Sequence, residues 1–140
     1  MNFLARKTDY AVRALIYMAG KAPERVSTAE LHRDLGLPRP FMRGVLQCLQ
    51  KAGYLESVKG QGGGFVFKVE PESIRLNDLF VLFQGPVSMG DCLFRKKMCV
   101  CAQTCPLRRE IKEIEAFARE RLQNATLASL MKGMQQGEKL

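Results

Sequence analysis

Apolar side chains recur every three or four residues in the first part of the chain, a spacing that predicts amphipathic helices. Residues 8–20 carry such a stripe and end at Gly20, since glycine favours a helix C-terminus. Ser27 and Glu30 form a capping box at the start of a second, short helix, which ends at Gly36. The chain therefore opens with two predicted helices separated by a turn.

A third helix is predicted after the run Leu37-Pro38-Arg39-Pro40, because each proline restricts its predecessor and Pro40 fits a first helical turn. The helix is predicted to end at Gly53. Its buried stripe is predicted to consist of Phe41, Val45, Leu46 and Leu49.

The pattern then changes to the strict alternation that is typical of strands. Residues 54–58 and 65–69 are β-prone runs on either side of a glycine-rich segment, and they predict a two-stranded hairpin. Asn77 is predicted to cap a short helix over residues 78–84. Apolar residues recur at helical spacing again from Pro106 to about Asn124, which predicts a long helix.

Two short helices, a third helix and a hairpin follow one another in the order of a winged helix-turn-helix. In that arrangement the third helix enters the major groove of DNA and the hairpin tip lies on the backbone or minor groove. An ordinary helical bundle with a solvated face is the alternative, and we consider it the less favoured interpretation.

Composition fits one domain, or one small domain with an appended arm, and excludes a two-domain enzyme. The chain has 140 residues, of which 46% are hydrophobic and 26% charged, so it can bury a core. No apolar run approaches the ~20 residues that span a bilayer, and residues 1–7 lack the apolar region of a signal peptide. We therefore expect a cytoplasmic protein that does not associate with membrane and has no enzymatic site or small-molecule substrate.

The charge is positive and unevenly distributed. Lys and Arg number 22 against 14 Asp and Glu, a net charge of +8, and residues 1–69 hold 11 basic and 5 acidic side chains, a net +6. Such a field attracts polyanions, either nucleic acid or anionic membrane, although a merely solvated basic surface is also compatible with it.

The third helix and the hairpin tip supply the candidate DNA contacts. Arg39, Arg43 and Gln47 are spaced four apart and therefore share one helix face, and Arg can read guanine while Gln can read adenine. Glycine lets a backbone approach phosphate closely. The predicted contacts of the tip are Lys59, Gly60, Gln61, Gly62 and Gly63.

Four of the five cysteines, Cys92, Cys99, Cys101 and Cys105, lie within fourteen residues, whereas Cys48 stands alone. In a reducing cytoplasm such clustering indicates a metal site or a redox switch. The spacing lacks the Cys-x2-Cys pairs of structural zinc, and iron–sulfur clusters accept less regular spacing. The chemistry of these cysteines is compatible with three kinds of site. An iron–sulfur cluster is favoured slightly over zinc, and a thiol-disulfide switch is third.

Several segments of the chain resemble the IscR/NsrR family of bacterial winged-helix regulators that carry an iron–sulfur cluster. The segments are residues 8–15 (TDYAVRAL), 49–55 (LQKAGYL), 58–65 (VKGQGGGF), 105–107 (CPL) and 125–130 (ATLASL). The resemblance implies a homodimer joined by the long helix after Cys105 and bound to a pseudo-palindromic operator on double-stranded DNA. It also implies that Cys92, Cys99 and Cys105 ligate a [4Fe-4S] or [2Fe-2S] cluster.

The sequence departs from the family at the fourth ligand. One branch uses a histidine where this chain has Arg108, which cannot ligate a metal. Another branch, of nitric-oxide sensors, uses an aspartate from the partner subunit, and Asp9 matches it, with Cys101 as a competing ligand. A glutamate is common in the family where this chain has Arg43, so the family's operator sequence does not carry over.

We therefore expect a mainly α fold with a small β wing (α+β), comprising a winged helix-turn-helix domain and a long dimerisation helix. The domains are predicted as the DNA-binding domain 1–85, the cluster loop 86–105, the dimerisation helix 106–131 and a frayed tail 132–140. The predicted function is a cluster-dependent repressor that senses nitric oxide, redox state or iron supply. The rivals are a zinc- or disulfide-dependent regulator and a ferredoxin-type electron carrier.

Overall fold

The computed structural model describes residues 3–89 and 104–135. This part contains six α-helices and a two-stranded antiparallel sheet, and a 3-10 turn, Pro71–Ser73, precedes the fourth helix. This confirms the predicted fold class. The elements are α1 (Arg6–Lys21), α2 (Thr28–Leu35), α3 (Arg39–Lys51), β1 (Leu55–Val58), β2 (Gly64–Phe67), α4 (Leu76–Gln84), α5 (Pro106–Asn124) and α6 (Leu127–Gln135).

The caps predicted for α2 are confirmed. The Ser27 hydroxyl accepts a hydrogen bond of 3.1 Å from the backbone N–H of Glu30. Gly36 ends the helix in the left-handed conformation, with φ of +67°, which glycine adopts without a steric penalty. The turn into α3 begins immediately afterwards, with Pro40 in the first turn of α3 as predicted.

The buried stripe of α3 differs from the prediction at one residue. Phe41 is 57% exposed, and Met42 is buried in its place beside Val45, Leu46 and Leu49. These four positions follow the spacing i, i+3, i+4 and i+7 of one helix face, and Phe41 lies outside that face. The stripe packs into one core together with buried residues of α1, α2 and α4, including Leu15, Met18, Leu31 and Leu79.

The hairpin is confirmed, with Leu55 opposite Phe67 and Val58 opposite Gly64. An additional backbone pairing joins Val26 to Phe65 through N–H to oxygen bonds of 2.8 and 2.9 Å. The segment before α2 therefore lies along the outer edge of β2 and fixes the wing, close to its tip, to the helix-turn-helix.

The predicted cap at Asn77 is wrong. α4 begins at Leu76, after Arg75, and Asn77 lies inside its first turn. The backbone N–H of Leu76 donates to the carbonyl of Ala125 at 3.0 Å, so a distant segment satisfies a group at the start of this helix.

The long helix ends at Asn124 as predicted, but the segment 106–131 contains two helices. The backbone is extended at Ala125, and Thr126 pairs with Arg75. Thr126 then accepts a bond of 3.2 Å from the N–H of Ser129 and so begins α6. Because α6 continues to Gln135, residues 132–135 are helical and do not form the frayed tail that the sequence predicted.

The buried side chain of Leu127 returns the C-terminal segment to the core of the winged domain. Leu127 is fully buried, its N–H donates to the carbonyl of Ile74 at 2.9 Å, and α6 contacts α1. The division of the chain at residues 85, 105 and 131 stays a prediction, and this core crosses the first two of these boundaries.

Candidate nucleic-acid interface and cysteine site

The outer face of α3 carries Arg39, Arg43 and Gln47, and all three are exposed. The opposite face is anchored by the buried stripe, so the backbone under these side chains is held rigidly. Neither arginine forms an ion pair with another described residue. The arrangement leaves two guanidinium groups and one amide available on a single helix face.

The wing tip has the glycines that its turn requires. Gly60 and Gly62 have φ of +107° and +70°, and the N–H of Gly63 donates to the carbonyl of Gly60 at 2.9 Å. A Cβ on Gly63 would lie 2.6 Å from the carbonyl oxygen of Val58, so a side chain cannot fit there. Lys59 and Gln61 extend from this tip as exposed side chains.

Arg25, which is not among the DNA contacts predicted from the sequence, lies at the same tip. A Cβ on Gly62 would lie 2.5 Å from Nη2 of Arg25, so the guanidinium group occupies the space beside that glycine. The contact depends on the pairing of Val26 with Phe65, which joins segments far apart in the chain. No local pattern of residues predicts such a pairing.

A polar network fixes α1 against α2. Lys21 pairs with Glu30, and the Tyr17 hydroxyl lies 3.0 Å from the Glu30 carboxylate and also contacts Asp34. The Lys21 ammonium lowers the pKa of Glu30, and the Arg33 guanidinium, followed by the Tyr17 hydroxyl, lowers the pKa of Asp34 to about 2. These contacts set the position of the helix that precedes α3.

Of the predicted metal ligands, Cys105 and Asp9 are among the described residues, and Cys92, Cys99 and Cys101 lie outside them. Cys105 is half-buried directly before α5 and lines a cavity of about 570 Å³. Three cationic side chains, Arg108, Arg109 and Lys112, and one acidic side chain, Glu113, line the same cavity, so its charge is positive on balance. Positive charge beside a thiol suits an anionic group such as a cluster with thiolate ligands.

Asp9 lies in the first turn of α1, where its carboxylate accepts bonds of 2.9 and 3.0 Å from Nε of Arg13. A carboxylate has about four acceptor positions, so this pairing leaves oxygen lone pairs for a metal ion. The group is about one-third exposed. Within its own chain Asp9 is therefore oriented by Arg13 and still accessible.

Gln84 joins the start of α1 to the end of α4. Its Oε1 accepts bonds from the Ala5 N–H at 2.9 Å and the Thr8 hydroxyl at 2.8 Å, and its Nε2 donates to the Phe3 carbonyl at 2.9 Å. The chain then enters the predicted cluster loop, and the N–H of Met89 donates to Glu115 of α5 at 2.6 Å. The beginning of that loop is thus attached to both α1 and α5.

α5 presents an apolar stripe that the described chain does not cover. Leu107, Ile114 and Phe117 are 69%, 48% and 65% exposed, and no residue of this helix is buried. Neither α5 nor any other described helix is long and apolar enough to cross a membrane. An uncovered stripe of this kind on a surface helix marks an interaction site.

Comparisons with known proteins identify the family and support the fold. The model of the Rrf2 family, described as iron-dependent transcriptional regulators, matches residues 4–133. CymR, the global cysteine regulator of B. subtilis, has 25% identity and a TM-score of 0.76 over 94% of this chain and 98% of that chain. IscR from T. potens has 23% identity and a TM-score of 0.71 over 98% of this chain and 91% of that chain. CymR from Staphylococcus aureus has 23% identity and a TM-score of 0.71 over 91% of this chain and 96% of that chain. The resemblance inferred from the sequence is confirmed, and the matches are to transcriptional regulators.

Proposed function

Because the chain belongs to the Rrf2 family of transcriptional regulators, we propose that it is a homodimeric repressor controlled by an iron–sulfur cluster. It acts in the cytoplasm on a pseudo-palindromic operator in double-stranded DNA. The observation that carries the DNA-binding part is the exposed face of α3, with Arg39, Arg43 and Gln47 beside the glycine-rich wing. Family membership also argues against an electron carrier.

Each element of the winged domain has a separate role in this proposal. Arg43 and Gln47 on α3 read base edges in the major groove, because a guanidinium fork fits guanine and a side-chain amide fits adenine. Arg39 and Lys59 contact phosphates, together with the exposed backbone of residues 60–63. The wing thereby sets the orientation of α3 on the duplex.

The apolar stripe of α5 supports a second copy of this chain as its partner. In a two-fold dimer the same stripe covers itself, and the two copies of α3 face successive major grooves. A protein with this symmetry matches two inverted half-sites. The pseudo-palindromic operator therefore follows from the dimer.

We assign the cluster to Cys92, Cys99 and Cys105, with Asp9 of the partner subunit as the fourth ligand and Cys101 as its competitor. What supports this assignment is the Cys105 thiol on a cavity lined by cations, together with the accessible carboxylate of Asp9. A bound [4Fe-4S] or [2Fe-2S] cluster supplies an iron centre that is sensitive to oxidants and nitric oxide. Gln84 at the end of α4 holds the start of α1, and Glu115 in the middle of α5 accepts a hydrogen bond from Met89 in the segment that precedes these cysteines.

Iron and sulfide counts on anaerobically purified protein test the cluster. We expect Cys105→Ala to lose most of its iron, because two remaining thiolates hold a cluster weakly against chelators. Cys48→Ala is the matched control, since Cys48 lies on α3 away from this cavity, and it should keep its full iron content. Full iron in the Cys105→Ala protein would contradict the assignment.

The fourth ligand is tested by comparing Asp9→Ala with Cys101→Ala. An oxygen ligand binds iron less strongly than a thiolate, so a labile, signal-sensitive iron favours Asp9. We expect Asp9→Ala to make the cluster labile and to uncouple DNA affinity from it, and Cys101→Ala to change little. The reverse pattern would transfer the role to Cys101.

A thiol-responsive regulator is the second candidate, and the likeness to CymR, described as a cysteine regulator, favours it. In that case the four clustered cysteines would bind zinc or exchange disulfides. Visible absorption separates the two candidates, because an iron–sulfur protein is brown and a zinc or disulfide protein is colourless. Colourless protein without iron after anaerobic purification would favour the second candidate.

A further inference from the structure

Arg25 is held beside the wing by the backbone on its C-terminal side. The next residue, Val26, exchanges two backbone hydrogen bonds with Phe65 of β2, at 2.8 and 2.9 Å. Val26 is fully buried, whereas Arg25 is exposed. The guanidinium group is thus attached to a rigid point of the sheet although it lies at the surface.

Gly62 provides the space that this guanidinium group occupies. A Cβ at Gly62 would lie 2.5 Å from Nη2 and 3.0 Å from Cζ of Arg25, which is closer than atoms can approach. Gly62 also has a φ of +70°, so its conformation already favours glycine. The Arg25 guanidinium group therefore lies directly beside Gly62 at the wing tip.

The charge at this position is not neutralised. Arg25 forms no ion pair with any described residue. Lys68, directly after β2, is paired with Glu56 at 3.2 Å, so it contributes less to the positive potential of the hairpin. Lys59 is the one cation within residues 59–64, and Arg25 doubles the positive charge of the wing tip.

We propose that Arg25 binds a DNA phosphate together with the wing, and that Gly62 positions its guanidinium group for this contact. The inference rests on the proposed binding of DNA by α3 and the wing. A planar guanidinium group donates two parallel hydrogen bonds to a phosphate, and the contact carries no sequence information. Arg25 thus contributes to affinity and orientation, and base preference resides in α3.

The salt dependence of DNA affinity tests the assignment. The probe is a 30-bp duplex selected from random sequences by the unmodified full-length protein. A dimer that loses two phosphate contacts should show a slope of log affinity against log salt that is shallower by about 1.8, at ~0.9 per contact. We expect this change for Arg25→Ala, and we expect Arg25→Lys to retain most of the slope.

Two controls separate a local contact from a general change of charge. Arg121→Ala removes one positive charge per subunit from α5, outside the wing, and should leave the slope within error of the unmodified protein. Lys59→Ala removes the neighbouring cation of the tip and should flatten the slope in the same way as Arg25→Ala. Neither substitution should change which duplex is preferred.

A matched pair of glycine substitutions tests the positioning. Gly62→Ala places a methyl group against the Arg25 guanidinium, whereas at Gly53, between α3 and β1 and with φ of +87°, a Cβ meets nothing within 4 Å. Both variants strain the backbone, but only Gly62→Ala should flatten the salt slope. In an Arg25→Ala background, Gly62→Ala should change the slope no further. Thermal melting of both variants monitors the fold.

The outcomes are distinct. An unchanged slope in Arg25→Ala, with the unmodified protein binding its duplex, overturns the role of Arg25 alone. A loss of affinity confined to one duplex sequence overturns the phosphate contact, because it indicates base reading. If the unmodified protein selects no duplex, the proposed function fails, and this inference fails with it.

Discussion

At the scale of single residues, Gln84 shows how one side chain can organise a distant helix end. Its amide oxygen accepts hydrogen bonds from the buried hydroxyl of Thr8 in α1 and from the Ala5 N–H at the start of that helix, where no side-chain cap is present. A buried hydroxyl or amide without a partner costs free energy. The start of α1, which carries Asp9, is therefore fixed by a residue of α4.

We expect Gln84→Ala to lower the free energy of unfolding by roughly 1–3 kcal/mol, because it leaves the Thr8 hydroxyl and the Ala5 N–H without protein partners. Urea denaturation measures the loss. In a Thr8→Val background the same substitution should cost less, since one of the unpaired groups is gone. An equal cost in both backgrounds would contradict the contribution of Thr8.

Arg43 provides the residue-scale test of base reading. Arg43→Ala should weaken binding to the selected duplex by roughly 1–3 kcal/mol and change binding to random DNA little, because a base contact is made only on the correct sequence. Competition binding against both duplexes measures the difference. Equal losses on the two DNAs would remove Arg43 from base reading.

At the scale of elements, the sequence predicted features that are set locally. The bounds of α5 and the face that bears Arg43 follow from apolar periodicity and a proline within a few residues. The break at Ala125 and the start of α4 at Leu76 depend on backbone hydrogen bonds between distant residues. Leu76 N–H donates to the Ala125 carbonyl, 49 positions away, and Leu127 N–H donates to the Ile74 carbonyl. The place of Arg25 likewise depends on a strand pairing, and no local pattern encodes it.

The stabilisation that the Lys21–Glu30 ion pair gives to the packing of α1 on α2 should decrease at low pH. The Lys21 ammonium makes the pKa of Glu30 lower in the folded chain than in the unfolded chain. The stabilisation is therefore complete above the ordinary pKa of a glutamate and is lost as pH falls through the lowered, folded-state value. We expect Glu30→Gln to lower the Tm at pH 7 by a few degrees and by less at about pH 2.5.

Glu24→Gln is the control for this pH effect. Glu24 is exposed just before α2, and its carboxylate pairs with no described residue. Its Tm should stay close to that of the unmodified protein at both pH values. If Glu30→Gln lowered the Tm equally at both, the ionised carboxylate would not be the stabilising group.

At the scale of the whole molecule, the uncovered stripe of α5 and the exposed face of α3 belong to one proposal. We propose that the first joins two chains and that the second contacts DNA. The spacing of the two copies of α3 would then depend on how α5 packs against its partner. The sequence predicted both surfaces, because an amphipathic helix shows its apolar face whether or not a partner is present. It could not predict that α6 returns to the core.

Phe117→Asp should dissociate the dimer without unfolding the chain, since Phe117 is 65% exposed in the single chain. Burying Phe contributes roughly 1.5–3 kcal/mol per copy, so loss of two copies should weaken dimerisation by about 10²–10⁴-fold. Sedimentation equilibrium measures the change. Glu120→Gln, at an exposed polar position of the same helix, should remain dimeric, and an unchanged dimer in Phe117→Asp would contradict this use of α5.

The burial of Leu127 has a consequence for how the protein is made. Among the described residues, every other buried member of its core cluster lies at or before Leu79, so Leu127 is the last to leave the ribosome. The ribosome synthesises α3 long before the last residue of the core beneath this helix is available. A nascent chain that is still translating α5, or one released there by a premature stop, lacks both this side chain and its bond to Ile74. We therefore expect such a chain to fold its winged domain less stably than the chain that contains Leu127.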